Sequence, residues 1–368
     1  MASQCSKKGV MYSVIRLTRL EIKKLFKNKA FYFILLALVA LVILNTLGGS
    51  SNFNSHKEGI ERNMQSDITS IEKGWPVLPS KDLPEWFSVA EYPLKDENGE
   101  LIPENIEVWK ELAIDHFQTE IDGLTTETGR FSYANLIKEA ILPVVGSLLF
   151  LLVITGVILI SGDYRSNSYR FMVARGIPRK HIMLAKLNTF VTVAVIFTLL
   201  ATAILFVSSW VTFNSFDGGA PAVVSSTLIL NALWSLFLLC LAYLIVGGLI
   251  AIIFTSLAPS IVFSLVFVFF SFSFMDMPYT GSGFIGTLLL FTMEYNFGSI
   301  FYNLFGTAVV TTGTSAATEV IRFTGPFIAD MPNSGYRDTV PAVLLALAFT
   351  VLFALVSIVI FNKKELKG

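Results

Sequence analysis

The sequence predicts an all-α polytopic membrane protein with six transmembrane helices and cytoplasmic N and C termini. Three observations lead to this fold class: the composition, the apolar stretches and the distribution of charge. Of the 368 residues, 54% are hydrophobic and only 15% are charged, and the mean hydropathy is +0.66. Soluble domains carry about 25% charged residues. The composition therefore excludes a water-soluble globule and predicts a chain that lies in a lipid bilayer.

Six apolar stretches are long enough, or nearly so, to cross a hydrocarbon core about 30 Å thick as helices. The predicted spans cover residues 30–48, 140–161, 187–210, 228–254, 261–275 and 340–361. The fifth span is the shortest. The first follows a basic region and ends in Asn45-Thr46-Leu47-Gly48, which offers no small-x-small cleavage site. We therefore expect a retained anchor and not a signal peptide.

The charge distribution gives the orientation of these spans. The N-terminal residues 1–29, the loop 162–186 and the tail 362–368 together carry 17 basic and three acidic residues, whereas the rest of the chain carries 10 basic and 24 acidic residues. Lys and Arg accumulate on the cytoplasmic side of a membrane. These three segments and the turn 255–260 are therefore predicted to be cytoplasmic, and residues 211–227 form an external loop. The net charge of zero argues against nucleic acid as a partner.

The large loop between the first two spans, residues 49–139, is predicted to be an extracytoplasmic acidic domain. It contains 18 acidic and eight basic residues, with helices expected around 56–71 and 103–123. Its aromatic residues provide enough apolar surface for a small packed domain. It fits either a solvated cap or an acidic surface that faces the substrate.

The external segment 276–339, which precedes the sixth span, contains a predicted re-entrant hairpin at residues 284–310. Two apolar halves of about ten residues, each too short to cross, are separated by Glu294-Tyr295-Asn296-Phe297-Gly298. A carboxylate at the centre of a bilayer costs at least about 3 kcal/mol. Two additional spans would leave the tail on the same side and remain the alternative.

Residues 11–29 are predicted to form an amphipathic helix in the headgroup plane. The apolar stripe consists of Met11, Val14, Ile15, Ile22, Leu25 and Phe26. The opposite face carries Arg16, Lys23, Lys24 and Lys27. This pattern fits a helix that anchors the chain, with or without a contact to a cytoplasmic partner.

The cytoplasmic loop 162–186 is predicted to contain a two-turn helix that lies across the base of the membrane. Ser166 or Asn167 can cap it, Gly176 can end it in the left-handed conformation and Pro178 can begin the next helix. The exposed side chains are expected to be Tyr169, Phe171, Met172 and Arg175. A rigid, partly apolar and partly basic projection suits docking into a groove of another protein; a simple topological charge signal is the alternative.

This loop resembles that of the membrane subunits of type-2 ABC exporters. The family has an acidic residue after the second span, a Gly-Thr pair, a hydrophobic triplet, an Arg and a Lys that opens the third span. Here Asp163 replaces the usual Glu and Asn167-Ser168 replaces Gly-Thr, whereas Phe171-Met172-Val173, Ala174–Arg179 and Lys186 match. The segment Glu21–Lys29 is similar to the amphipathic connecting helix of the family.

The resemblance implies a permease subunit of an ATP-driven exporter in the plasma membrane of a bacterium, and not an enzyme. The implied partners are an ABC ATPase in two copies, which binds ATP and Mg, a second permease subunit in a homo- or heterodimer, and membrane lipid. The implied ATPase-coupling residues are Asp163, Arg165, Tyr169, Phe171, Met172, Arg175, Arg179 and Lys186. The expected substrate is an amphipathic or cationic antimicrobial peptide, with sodium or drug export as alternatives.

The sequence contains no pattern that predicts a catalytic, cofactor or metal site in this chain. It has no G-x-x-x-x-G-K-[ST] phosphate loop, so a separate chain is expected to bind ATP. All three histidines lie outside the predicted spans, and no disulfide is expected from two cysteines. A secondary transporter would need ionisable residues in the spans and is the main alternative, followed by a sensor or scaffold. Gly247, Ala251 and Thr255 permit close helix packing, within the chain or at a dimer interface.

Overall fold

The computed structural model describes residues 2–73, 103–123, 132–216, 224–275, 292–305 and 339–364, and these ranges are helical and contain no strand. The helices are α1 (Ala2–Lys27), α2 (Lys29–Glu72), α3 (Pro103–Gly123), α4 (Tyr133–Arg165), α5 (Ser168–Ala174), α6 (Arg179–Phe216), α7 (Ser226–Phe254), α8 (Leu257–Met275), α9 (Met293–Phe305) and α10 (Thr339–Lys363).

Five segments of these helices are long and apolar enough to cross a membrane: Lys29–Gly48, Tyr133–Arg165, Arg179–Asn214, Ser226–Phe254 and Thr339–Lys363. They coincide with five of the six predicted spans. The prediction of an all-α protein with several apolar helices that can cross a membrane is thereby confirmed, while the six-span plan stays a prediction.

The remaining predicted span corresponds to α8, whose apolar part, Leu257–Phe270, is shorter than the five spanning segments. A tight turn connects it to α7. Thr255 ends α7 in the left-handed conformation, with φ of 56°, and its N–H donates to the carbonyl of Ala251. The connection between α7 and α8 therefore consists of residues 255 and 256 and is shorter than the predicted turn 255–260.

The first span belongs to a helix that is much longer than predicted. Asn28 separates α1 from α2, and its side chain accepts a hydrogen bond from the N–H of Ala30 at 3.0 Å. Beyond residue 48, α2 continues to Glu72 without a break.

The distal end of α2 packs against α3 through a small separate core, formed by Ile68, Ile71, Ala113 and Phe117. Both segments of this loop that are predicted to be helical, 56–71 and 103–123, therefore lie in helices, the first in α2 and the second in α3. The remainder of that loop, residues 74–102 and 124–131, lies outside the described residues.

The centre of the bundle is the contact between α4 and α7. A Cβ atom on Gly247 would overlap the carbonyl oxygen of Val153, and one on Gly156 would lie 2.9 Å from the backbone nitrogen of Gly248. The two backbones therefore touch where only glycine fits. The predicted close packing at Gly247 is a contact within the chain and not a dimer interface.

The predicted break at residues 294–298 is wrong, because α9 runs through all five residues as a continuous helix. Polar side chains in this segment bond to the preceding turn of their own helix. Asn296 donates to the carbonyl of Thr292 at 2.6 Å, and Ser299 donates to that of Tyr295 at 2.9 Å. The other parts of the predicted hairpin, residues 284–291 and 306–310, lie outside the described residues.

We predict that Gly247→Ala destabilises the protein. The added methyl group overlaps the α4 backbone, and overpacking of this kind typically costs about 1–3 kcal/mol. Thermal unfolding of the detergent-solubilised protein measures the effect. Gly162→Ala is the matched control, because this helical glycine of α4 has open space around its Cβ position. An alanine there should be neutral or stabilising by up to about 1 kcal/mol; equal losses for both variants would contradict the close contact.

Candidate coupling site

The predicted loop helix is present as α5, and its C-terminus has the predicted glycine cap. Gly176 has a φ of 79° and donates to the carbonyl of Val173 at 2.9 Å, while the N–H of Ile177 donates to the carbonyl of Met172 at 3.2 Å. These two bonds form a Schellman motif. Pro178 precedes the first residue of α6, as predicted. Local sequence therefore fixes where this helix ends and where the next begins.

The N-terminus of α5 differs from the expected side-chain cap. Asn167 adopts the left-handed conformation, with φ of 55°, and makes no capping hydrogen bond through its side chain. Instead, the hydroxyls of Ser166 and Ser168 lie 2.7 Å apart. Asparagine tolerates this backbone conformation better than most residues, so the turn from α4 into α5 is sharp.

One side of α5 is exposed and the other is buried. Phe171 is 65% exposed and Arg175 is also exposed, as predicted, whereas Met172 is half-buried. The prediction that Tyr169 is exposed is wrong, because this side chain is only 1% exposed. A two-turn helix that lies against a bundle must bury one face, and Tyr169 lies on that face.

Tyr169 connects α5 to three other helices. Its ring centroid lies 4.7 Å from that of Tyr164 in α4 and 5.1 Å from that of Phe361 in α10, and the ammonium of Lys186 in α6 lies 6.0 Å from the ring. Burial raises the pKa of Tyr169 well above its usual value of 10, and the charge of Asp163 raises it further. The phenol is therefore neutral and serves as a packing anchor.

Four charged side chains meet beneath this anchor, and we call them the ionic cluster: Glu21, Lys24, Asp163 and Lys186. Lys186 pairs with both Glu21 and Asp163 and donates to the carbonyl of Leu159 at 3.2 Å. Lys24 lies 3.0 Å from Glu21 and 3.6 Å from Asp163. The cluster joins α1, α4 and α6 and balances two negative against two positive charges.

The two lysines of the ionic cluster differ in their exposure to water. The side chain of Lys186 is 4% exposed and that of Lys24 is 49% exposed. Burial raises the pKa of Glu21, but the charges of Lys186 and Lys24 outweigh it, so its pKa lies below the usual value. Burial lowers the pKa of Lys24, but Asp163 and Glu21 raise it above the usual value. Both groups are therefore charged at neutral pH.

The predicted coupling residue Arg179 contacts the C-terminus of α10. Its guanidinium donates to the carbonyls of Asn362 at 3.2 Å and Lys364 at 2.7 Å, at the C-terminus of α10. Lys364 in turn donates to the carbonyls of Ile252 and Ile253 at the end of α7, each at 2.6 Å. Basic groups at helix C-termini satisfy free carbonyls and favour the helix dipole. We call these contacts the tail latch.

The structure brings five of the eight predicted coupling residues into this assembly and leaves Arg165, Phe171 and Arg175 exposed. The sequence analysis missed Glu21 and Lys24 as members of the ionic cluster, and Lys364 as part of the tail latch. One signal was available for Glu21, since it is the single acidic residue among eight basic ones in residues 1–29.

The described arrangement presents two exposed side chains on a short helix whose other face is anchored to the bundle. Phe171 and Arg175 project from a helix that is anchored at Tyr169 and flanked by two residues of the ionic cluster, Asp163 before it and Lys186 after it. Within the described ranges, no group of three His, Cys, Asp or Glu residues could hold a metal ion.

Comparisons with known proteins do not identify the chain. No family model matches it, and no curated protein or solved structure gives a significant match.

We predict that the ionic cluster contributes to stability as a unit. Lys186→Met leaves two carboxylates in a buried site with only the half-exposed Lys24, and breaking a buried pair in this way typically costs about 3–5 kcal/mol. Adding Glu21→Gln to this variant restores the balance of charge and should recover part of the loss. A double-mutant cycle by thermal unfolding measures the coupling.

The control for this cycle is Lys23→Met, which removes an exposed charge from α1, the helix that carries Glu21. This variant should change the free energy of unfolding by less than about 0.5 kcal/mol. Strictly additive losses for Lys186→Met and Glu21→Gln would show that the two residues do not interact.

Proposed function

We propose that the chain is the membrane-spanning permease subunit of an ATP-driven exporter of the type-2 ABC kind, in the plasma membrane of a bacterium. The observation that carries this proposal is the position of α5, with one face exposed and the other anchored to the bundle. It is a short helix that presents Phe171 outward at the basic end of the bundle while Tyr169 fixes it to α4, α6 and α10. A largely exposed phenylalanine on a rigid support is the arrangement expected of a docking contact.

The contacts around α5 support mechanical coupling. A force on Phe171 passes through the α5 backbone to Tyr169 and to the ionic cluster. Because Lys186 opens the membrane-spanning part of α6 and Asp163 ends that of α4, a displacement of α5 moves the ends of both helices together. Glu21 extends the same connection to α1. A nucleotide-driven movement of a docked ATPase would thus reach three helices at once.

The implied assembly follows from the same resemblance. Two copies of a separate ABC ATPase bind ATP and Mg, and a second permease subunit, identical or related, completes the pathway. The chain itself supplies no catalytic residue. The helix α1 carries exposed apolar side chains, Ile15, Leu20 and Phe26, beside its buried face. These side chains fit contact with lipid at the membrane surface.

The substrate class that fits the chain best is an amphipathic or cationic peptide. The acidic segment between the first two spans would attract cations, and its two described helices form a small core of their own at the far end of α2. A secondary transporter and a membrane scaffold are the competing functions. An ATPase gene beside the gene of this chain would favour the exporter.

We predict that Phe171→Ala combined with Arg175→Glu abolishes export and weakens retention of the ATPase by at least about 30-fold. Hot-spot residues at interfaces typically contribute 2 kcal/mol or more. The measurement is co-purification of the ATPase encoded next to this gene, together with substrate export at matched expression. The abundance of the chain should not change, because both side chains lie on the surface.

The matched control is Lys363→Glu, which changes the net charge by the same amount on an exposed residue of the same end of the bundle. Lys364 is unsuitable as a control because it belongs to the tail latch. If both variants lose function equally, general charge is responsible; if neither does, the loop is only a topological signal.

The orientation has its own test, thiol labelling in intact cells. In a background in which Cys5 is replaced by serine and the buried Cys240 is retained, Thr119→Cys on α3 should react with an impermeant reagent. Ser166→Cys beside α5 should react only after the cells are opened. Both positions are exposed, so differences in labelling report the side of the membrane. The reverse pattern would invert the topology and exclude docking of a cytoplasmic ATPase at α5.

A further inference from the structure

The helix α1 carries a row of basic side chains on its exposed face. Arg16, Arg19, Lys23 and Lys27 are all exposed. Their spacing of three, four and four residues places them within an arc of about 80° over a length of about 17 Å. Within the described residues, none of the four takes part in an ion pair or a side-chain hydrogen bond. We call these four residues the basic stripe.

The opposite face of α1 is buried against the bundle. Glu21 and Leu25 on this face are 6% and 3% exposed. Thr18 accepts a hydrogen bond from the side chain of Asn188 at 3.4 Å, and Glu21 pairs with Lys186. The basic stripe therefore points away from the bundle, toward the surroundings of the protein.

The partners of α1 show the depth at which this helix lies. Lys186 and Asn188 of α6 are at the start of the predicted third span. Asp163 of α4, which lies 3.6 Å from Lys24, follows the predicted second span. Both α4 and α6 are among the helices that are long and apolar enough to cross a membrane. Helix α1 therefore contacts them where their membrane-crossing parts are predicted to end, at the level of the lipid headgroups.

Apolar side chains beside the basic stripe give α1 a preferred side toward the hydrocarbon. Ile15 is 56% exposed and Phe26 is 44% exposed, and the half-buried Ile22 lies between them. These three residues fall within about 40° of one another, along one edge of the stripe. The other edge carries Leu20 and the half-exposed Lys24. With Ile15, Ile22 and Phe26 in the acyl region, the stripe lies among the headgroups.

We propose that the basic stripe binds the headgroups of anionic phospholipids, such as phosphatidylglycerol, in the leaflet at the basic end of the bundle. Basic residues close to a bilayer surface attract anionic lipids, and clusters of four or more on an amphipathic helix are typical of this recognition. A zwitterionic phospholipid has the same phosphate but no net charge. Helix α1 should therefore discriminate between the two lipid classes.

An anionic bilayer fits this surface better than a protein partner does. The stripe requires negative charge, and Ile15 and Phe26 directly beside it require an apolar environment. The surface of an anionic membrane provides both at adjacent depths, and the contacts of α1 with α4 and α6 place the helix at that surface. A protein partner is the competing occupant, and the experiments below separate it from lipid.

This inference goes beyond the proposed function, because binding of lipid at α1 requires neither an ATPase nor α5. It also differs from the general contact of an amphipathic helix with a membrane, because it depends on the charge of the headgroup.

The experiment is native mass spectrometry of the purified full-length chain titrated with dioleoylphosphatidylglycerol or dioleoylphosphatidylcholine. We expect the first phosphatidylglycerol to bind at least about tenfold more tightly than the first phosphatidylcholine. The variant Arg19→Gln, Lys23→Gln, Lys27→Gln should lose most of this preference, while its affinity for phosphatidylcholine stays within about twofold. Equal affinities of the unaltered chain for the two lipids would overturn the proposal.

The matched control is the variant Arg170→Gln, Lys180→Gln, Lys363→Gln, which removes three exposed positive charges from α5, α6 and α10. It should retain the preference for phosphatidylglycerol. If both variants lose the preference equally, the total charge of the chain is responsible and the stripe is not a lipid site.

A second measurement uses the unaltered chain, so it does not depend on the folding of a variant. Acetic anhydride acetylates accessible lysines, and mass spectrometry gives the extent at each position. In nanodiscs of phosphatidylglycerol, compared with nanodiscs of phosphatidylcholine, acetylation of Lys23 and Lys27 should fall at least about fivefold more than that of Lys180 and Lys363. An equal decrease at all four lysines would contradict a site on α1.

Two further comparisons separate this inference from the ATPase coupling. The Phe171→Ala plus Arg175→Glu variant should keep the preference for phosphatidylglycerol even though export is lost, and loss of that preference would contradict a lipid site independent of α5. If the α1 variant keeps the lipid preference but loses retention of the ATPase, the stripe binds a protein and the lipid proposal is wrong.

Discussion

The ionic cluster is the interaction on which the arrangement of the basic end depends. Removing Glu21, Asp163 and Lys186 from water is expensive, and the cost is recovered only when the partners are held in good geometry. Glu21, Asp163 and Lys186 come from three helices, so the cluster is satisfied only when α1, α4 and α6 are docked together. Because Asp163 and Lys186 flank the α5 loop, the same constraint fixes both ends of that loop.

A second constraint acts in the interior of the bundle. The backbones of α4 and α7 touch at Gly156 and Gly247, so these two helices cannot slide past each other without a clash. In contrast, α10 is attached to α6 and α7 at its end by the tail latch and turns many apolar side chains outward. The bundle thus combines a rigid pair, α4 and α7, with a peripheral helix that is tied to it at the basic end.

The features that the sequence predicted correctly are those with a local cause. Gly176 and Pro178 set the end of α5 and the start of α6 through backbone preferences alone, and the apolar stretches predict the spanning helices through their length. The burial of Tyr169 depends on Phe361, a residue almost two hundred positions away, and no local pattern reports it. The role of Glu21 likewise depends on Lys186, which lies 165 positions further along the chain.

The position of Glu294 changes the comparison between an exporter and a secondary transporter. The argument against a secondary transporter relied on spans without ionisable residues, but α9, which is not one of the predicted spans, packs against α7 through Phe297 and Tyr243 and carries the half-buried Glu294. A carboxylate on a helix that packs against one long enough to cross a membrane is compatible with both functions. The exposed Phe171 has a use in the proposed exporter, as a docking contact, whereas a secondary transporter has no need for an apolar side chain that projects from a fixed support at its basic end. Variants at α5 therefore distinguish the two functions, and variants at Glu294 do not.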